Sequence, residues 1–288
     1  MESTIENILA IISAIVIVAT IVIALVNIPR IKALWPGFKK YRHLLAMLVS
    51  RDIKVKYRRS VLGLLWSVLQ PLFFMLIITL VFANVFKLGI RDYPVFYITG
   101  FVVFSFVSEA TTLSLNSILG NASLIKKVYI PKYIFPLQKC LFALVNMAFS
   151  LIAVAIVYII LQVPVYPTAF LLVVVMAYAA VFSFGLSLIL SAAVMFFRDV
   201  AHLYGIWITA WMYLTPILYP LSILPEPVQN ILKFNPLVYY VEYARSVMID
   251  GVIPTLNTNL ICIGFALLTL IIGLVFFKRT QDRFILHM

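Results

Sequence analysis

Charged residues are scarce in this sequence: Asp, Glu, Lys and Arg make up 11% of its 288 residues, whereas 64% are hydrophobic. A soluble domain carries about a quarter charged residues, so this chain has too little polar surface to face water. The shortage excludes a soluble domain of any size and indicates that lipid surrounds most of the molecule. At about 20 residues for each membrane span, the chain has room for six or seven transmembrane helices.

The sequence also lacks the motifs of catalysis and nucleotide binding. None of its 10 glycines belongs to a phosphate-binding loop of the form GxxxxGK[ST], and it contains no HExxH or CxxC motif. The histidines His43, His202 and His287 are far apart, and no pair of carboxylates suggests acid–base chemistry. We therefore expect no catalytic residue, no metal site and no cofactor in this chain, so a partner must supply any energy for its work.

Cysteine is rare too. Cys140 and Cys262 lie inside or at the edge of apolar runs, where a free thiol behaves as a small hydrophobic side chain. We expect no disulfide.

Seven apolar runs predict an all-α, polytopic membrane protein. They cover residues 5–28, 62–86, 95–118, 135–161, 168–196, 203–221 and 260–277. The net charge of +12 comes from basic residues that cluster in alternate loops, chiefly within 30–59 and 126–139. Because basic loops stay in the cytoplasm, this pattern predicts an outside N-terminus and a cytoplasmic C-terminus. Topology therefore explains the charge, and no nucleic-acid partner is expected.

The first run, within residues 1–30, predicts an additional transmembrane helix. Glu2 and Glu6 lie at its front, where a secretory signal peptide has positive charge. An uncleaved span is the favoured interpretation, and a helix lying at the interface is the alternative.

Residues 37–60 predict an amphipathic helix on the cytoplasmic membrane surface. Tyr41, Leu44, Leu45, Leu48 and Val55 follow helical spacing on one face, and cations occupy most of the other. The alternative is charge that serves topology alone. The transmembrane domain then covers residues 61–288.

Residues 222–250 predict a hairpin of two short helices that dips into the outer leaflet. Pro225-Glu226-Pro227 begins the first helix, and Asn235-Pro236 reads as the N-cap and first residue of the second. Both are too short to span a bilayer. Since non-helical backbone at this depth must be buried in protein or line a cavity, we expect the hairpin at the mouth of a pathway.

Several side chains within the spans carry further hypotheses. Glu109 is the one acidic residue inside an apolar run; it serves either a hydrogen-bonded contact between helices or the substrate and its gate. Two aromatic stripes could line a pathway for sugar rings, or could belong to interfacial belts or the core. Their residues are Trp66, Gln70, Phe73 and Phe74 in one helix, and Tyr204, Trp207 and Trp211 in another.

Four segments together resemble the type-2 ABC exporter permeases of the O-antigen, teichoic acid and cell-surface polysaccharide family. Residues 50–71 resemble its N-terminal signature, with the sequence SRDIKVKYRRSVLGLLWSVLQP. Residues 121–131 (NASLIKKVYIP) look like its coupling segment, 197–200 (FRDV) like its second cytoplasmic turn and 234–237 (FNPL) like its external hairpin. The resemblance begins near residue 41, and family members have six spans, so the helix at 1–30 departs from the pattern.

The resemblance implies a homodimer in a bacterial or archaeal cytoplasmic membrane, docked on two separate ATPase subunits that bind ATP and Mg²⁺. It places the channel between the protomers, along the spans 62–86 and 203–221. The expected headgroup contacts are Lys54, Lys56, Arg58 and Arg59. The expected ATPase contacts are Lys126, Lys127, Tyr129, Pro131, Arg198 and Asp199. The expected external gate comprises Asn235, Pro236, Tyr239, Tyr240 and Tyr243.

Two other functions stay open. A permease for a drug or a small lipid would share this architecture. A membrane-embedded glycosyltransferase or acyltransferase would need a base or metal ligand near the surface, and the outer loops offer only scattered carboxylates at Asp92, Glu226, Glu242 and Asp250.

Overall fold

The structure, a computed structural model, describes residues 2–26, 28–58, 62–84, 90 and 92–284, and within these ranges the chain forms helices and no strands. Eleven α-helices follow in order in the described part. They are α1 (Glu2–Val26), α2 (Ile28–Tyr57), α3 (Trp66–Asn84), α4 (Tyr93–Leu115), α5 (Ala122–Lys127), α6 (Ile134–Ile160), α7 (Leu172–Phe196), α8 (Val200–Tyr213), α9 (Glu226–Leu232), α10 (Pro236–Arg245) and α11 (Leu256–Thr280).

Among the described residues, five helical segments are long and apolar enough to cross a membrane. They are Gly63–Phe82, Tyr93–Leu115, Ile134–Ile160, Pro167–Phe196 and Leu256–Arg283. The predicted spans 5–28 and 203–221 correspond to α1, whose described apolar segment is Thr4–Thr20, and to α8. The prediction of an all-α, polytopic membrane protein is confirmed.

Helix α8 ends earlier than the apolar run suggests. The predicted span reaches residue 221, but the helix stops at Tyr213. Pro216 has no N–H to donate and disfavours a helical conformation at Thr215, which accounts for the end. At 1.5 Å per residue, the 14 residues of α8 rise about 21 Å, less than the ~30 Å hydrocarbon core.

Helix α4 lies at the centre of the fold, packed against α3, α6, α7 and α10. In the most apolar 18-residue stretch of α4, 67% of the residues are buried. The corresponding share is 17% for the segment that contains α3. Helix α3 therefore lies at the periphery of the single chain, with most of its apolar surface uncovered.

Glycines set how closely α11 approaches its neighbours. A Cβ atom at Gly185 of α7 would lie 2.5 Å from the Leu270 nitrogen, and one at Gly273 would lie 2.3 Å from the Gly185 carbonyl oxygen. A Cβ at Gly264 would lie 2.3 Å from Ser13 of α1. Small residues permit this close backbone contact between membrane helices, so α11 is held between α7 and α1.

The start of α1 lies at the same end of the molecule as the α9–α10 hairpin. Glu6 is 3.8 Å from the Lys233 amine, and Asn257, at the start of α11, donates to Asn7 at 3.2 Å. The predicted topology requires this arrangement, because it assigns both the N-terminus and the hairpin to the outer side.

Helix α2 begins at Ile28, nine residues before the predicted start, and the protein itself covers much of its apolar face. Leu45 and Leu48 are buried against the start of α6, at Ile134 and Phe135. Val55, expected on the same face, is 64% exposed. The middle of α2 thus packs on protein where we had expected lipid.

The crossing of α7 and α11 should not tolerate a side chain. Gly185→Ala adds a Cβ that must displace backbone, an overpacking cost of about 1–3 kcal/mol. We expect the apparent melting temperature in detergent to fall by about 5 °C. Gly205→Ala is the control, because a Cβ at Gly205 of α8 meets nothing within 4 Å. Equal melting temperatures for the two variants would contradict the close crossing.

Candidate transport pathway

Glu109, the intramembrane carboxylate, is bound by two donors from other helices. Its Oε1 accepts from Lys56 Nζ of α2 at 2.8 Å and from Asn146 Nδ2 of α6 at 2.7 Å. A carboxylate in a bilayer is costly unless it is paired. These two bonds remove that cost and join α2, α4 and α6 at one point.

The last residue of α2 extends this cluster to α3. Tyr57 donates its hydroxyl hydrogen to Asn146 Oδ1 at 3.2 Å and is hydrogen-bonded to the Ser67 hydroxyl. The end of α2 is therefore attached to three spanning helices.

Lys56, one of the cations expected near a lipid headgroup, also has partners within the protein. Its amine is held by Glu109 and lies 5.4 Å from the centre of the Phe142 ring. Lys54 and Arg58 are exposed, so they keep their charge facing outward. Arg59 lies outside the described residues.

A second ionic attachment of α2, at Asp52, was not anticipated. Gln138 Nε2 donates to Asp52 at 2.9 Å, Lys139 forms an ion pair with the same oxygen, and Arg51 donates at 3.0 Å. Burial alone would raise the pKa of Asp52, but the bonds from Lys139, Gln138 and Arg51 outweigh it and lower the pKa. An acidic residue inside a strongly basic run was the signal available in the sequence.

The residues expected to meet an ATPase form an exposed surface. Lys126 and Lys127 end α5 in solvent, and Tyr129 is 90% exposed. Pro131 is half-buried, and Arg198 and Asp199 are exposed in the turn between α7 and α8.

This surface is attached to the interior. Ile130, next to Tyr129, is buried with Leu45 and Leu48 of α2. Lys132 donates to the Gln281 carbonyl after α11 at 2.5 Å. Ile130 and Lys132 thus connect the α5 segment to α2 and to the end of α11.

The aromatic stripe of α3 is uncovered in the single chain. Trp66, Phe73 and Phe74 are 45%, 50% and 47% exposed, and Gln70 is exposed beside them. The stripe presents flat apolar rings next to one amide group.

The aromatic stripe of α8 has one exposed ring and two buried ones. Tyr204 is buried and donates to Thr111 Oγ1 of α4 at 2.7 Å. Trp211 is buried and donates to Asn235 Oδ1 at 2.8 Å. Only Trp207, 50% exposed, presents an open ring among the three.

Asn235 joins the end of α8 to the start of α10. Its Oδ1 accepts from the Leu237 amide at 3.0 Å as an N-cap, in addition to Trp211. Its Nδ2 donates to the Leu214 carbonyl and to Thr215 Oγ1, both at 3.1 Å. Pro236 follows as the first residue of α10.

The three tyrosines expected at the gate are buried in the protein. Tyr240 donates to the Cys262 carbonyl at 3.1 Å, and Tyr243 donates to Asn259 Oδ1 at 3.3 Å. Tyr239 packs against the Phe265 ring at 6.2 Å. These tyrosines therefore fix α10 to α11 and do not face an open mouth.

Arg245, at the end of α10, is buried, and sequence reasoning did not single it out. Its Nη1 donates to the Pro216 carbonyl at 2.6 Å and its Nη2 to the Ile217 carbonyl at 3.1 Å. The guanidinium lies 3.5 Å from the centre of the Phe96 ring. Gly100 provides the space, since a Cβ there would lie 2.9 Å from Nη2.

The profile of the ABC-2 type transporter family matches residues 43–249. The chain belongs to this family. The resemblance seen in the sequence is thus confirmed, and the match to ABC-2 type transporters begins inside α2, so α1 lies outside it.

Three relatives are similar over most of their length. The O-antigen export system permease protein RfbA of Klebsiella pneumoniae is 30% identical over 242 residues, covering 84% of this ABC-2 transporter chain and 93% of the relative. RfbA of Myxococcus xanthus is 30% identical over 219 residues, which cover 75% of this chain and 84% of the relative. The polysialic acid transport protein KpsM of Escherichia coli is 28% identical over 258 residues, which cover 85% of this chain and 96% of the relative.

The pairing of Lys56 with Glu109 predicts non-additive effects on stability. Lys56→Met leaves a carboxylate without its cation, and Glu109→Gln removes that carboxylate. The double variant should therefore lose less free energy of unfolding than the two single variants added together. For residues in one hydrogen-bonded network, we expect a coupling of about 0.5–3 kcal/mol. Unfolding in detergent mixtures measures it. Lys54→Met with Glu109→Gln is the control pair, expected to be additive; additivity of the Lys56 pair would contradict the contact.

The lowered pKa of Asp52 predicts a pH dependence of stability. A carboxylate whose pKa is lower in the folded state stabilises the fold above its unfolded pKa, which is about 4. That contribution is lost as the pH falls through the folded pKa. Asp52→Asn should therefore be less stable than the native protein at pH 7, and the gap should close below pH of about 4. Asp199→Asn, an exposed change, should show no such gap at either pH.

Proposed function

We propose that this chain is the permease of an ATP-driven exporter of lipid-linked cell-surface polysaccharide, working as a homodimer with two separate ATPase subunits. The relatives named above are O-antigen export system permeases and a polysialic acid transport protein, and the alignments cover most of their lengths. The observation that carries the proposal is the uncovered aromatic stripe of α3.

The α3 stripe suits a pathway between two protomers. Exposed tryptophan and phenylalanine rings offer flat apolar surfaces that can slide along the C–H faces of sugar rings. Trp207 of α8 adds another open ring. A second copy of the chain, placed against α3, would enclose these rings between the protomers and shield them from lipid.

The opposite ends of the pathway receive different roles. Exposed Lys54 and Arg58 would attract the phosphate of a lipid carrier at the cytoplasmic surface. Lys126, Lys127, Tyr129, Arg198 and Asp199 would meet the ATPase, which binds ATP and Mg²⁺. In this orientation the N-terminus and the α9–α10 hairpin are outside the cell and the C-terminus is in the cytoplasm.

Export should need the ATPase and the open rings. Liposomes with the permease and its ATPase should move lipid-linked glycan upon ATP addition, and the permease alone should not. Phe73→Ala and Trp207→Ala should each lower the rate about tenfold, equivalent to ~1.4 kcal/mol, without loss of ATPase binding.

Phe170→Ala is the matched control, since this ring is 86% exposed but lies in the short 3₁₀ helix before α7, away from α3 and α8 in the sequence. It should export at the native rate. Native export rates for both Phe73→Ala and Trp207→Ala would reject the pathway. If the native complex moved a drug or a phospholipid with ATP but no glycan, the alternative permease function would be favoured.

A further inference from the structure

The chain leaves α8 through an irregular turn, residues 214–218, whose polar backbone is enclosed in protein. Thr215, Pro216, Ile217 and Leu218 are buried. A helix end leaves carbonyl oxygens without intrahelical donors, and a bilayer supplies no water to replace them. Other parts of the protein must therefore provide the donors.

Side chains distant in sequence provide them. Asn235 binds the Leu214 carbonyl at 3.1 Å, and Arg245 binds those of Pro216 and Ile217 at 2.6 and 3.1 Å. Tyr93 of α4 donates to the Leu218 carbonyl at 2.8 Å.

Asn235 and Arg245 stand at opposite ends of α10, the N-cap and the last residue. Helix α10 is thus attached to the same turn at both of its ends. Swinging α10 away from α8 would break the bonds of Asn235 and Arg245 together and leave a buried guanidinium and three carbonyls without these partners, which is costly.

We propose that Arg245 and Asn235 are positioning residues that lock the turn after α8 (residues 214–218) to α10, so that α8 and α10 stay joined when the exit of the pathway opens. This rests on the proposed export function. The hairpin is then a fixed extension of α8 and not a separate flap. Helix α4 contacts this unit through Tyr93, which binds the Leu218 carbonyl, and through Phe96, which packs against Arg245.

The lock predicts a closed resting state that depends on Arg245. Arg245→Lys keeps the charge but cannot donate to two carbonyls in the planar geometry of arginine. In liposomes containing permease and ATPase, without ATP, we expect this variant and Asn235→Ala to release a small water-soluble dye about tenfold faster than the native complex. Thr209→Val is the control, because it removes a bond within α8 only, to the Gly205 carbonyl. Native leak in both variants would overturn the proposal.

A cross-link separates the two ways of opening without removing either positioning residue. Leu214→Cys and Phe234→Cys place exposed thiols on both sides of the bond between Asn235 and Leu214, while Cys140 and Cys262 are buried. Joining the two with a short reducible thiol reagent should leave ATP-driven export unchanged. Loss of export that reduction restores would show that α10 must leave α8, and would overturn the proposal. Absence of glycan export from the native complex would reject the proposed function instead, and the dye leak would still report on the lock.

Discussion

A bilayer offers no water to a polar group, so every carbonyl freed where a helix ends inside it needs a donor from the protein. Most of this chain meets that constraint with continuous helices, whose backbone bonds are internal. Where Pro216 ends α8 early, the constraint falls on side chains, and Arg245, Asn235 and Tyr93 meet it. The burial of Arg245 and the space that Gly100 leaves for it both serve that one interruption.

The ionic contacts of α2 meet the same constraint in a different way. Lys56 and Glu109 are 39% and 30% exposed, so the protein encloses this pair only in part. Arg245 is only 7% exposed, and separation there would leave a charge in an apolar setting. The end of α2 is therefore the less enclosed of the two attachments, next to the surface expected to meet an ATPase.

Hydropathy and basic loops predicted the spans because both depend on local composition. Partners could not be predicted, because they depend on how helices rotate and pack. Among ten basic residues in 30–59, nothing in the sequence marks Lys56 as the one that reaches Glu109. The spacing of three aromatic residues in α8 indicates one helix face, but it does not indicate which of them other helices cover. In the structure Tyr204 and Trp211 are buried and Trp207 is exposed. Pro216 is a sequence signal for the end of α8, but the predicted span continued past it to residue 221.

Helix α1 adds to the transmembrane domain without occupying the face proposed for the dimer. Gly264 and Gly273 are nine positions apart on α11, and at 3.6 residues per turn they lie about 180° apart around the helix. Helix α7 contacts one side at Gly273 and α1 the other at Gly264. The uncovered rings lie instead on α3, which packs against α4 and α6. Because the added helix and the proposed interface use different helices, an ABC-2 transporter can acquire α1 and keep the pathway arrangement of a six-span chain.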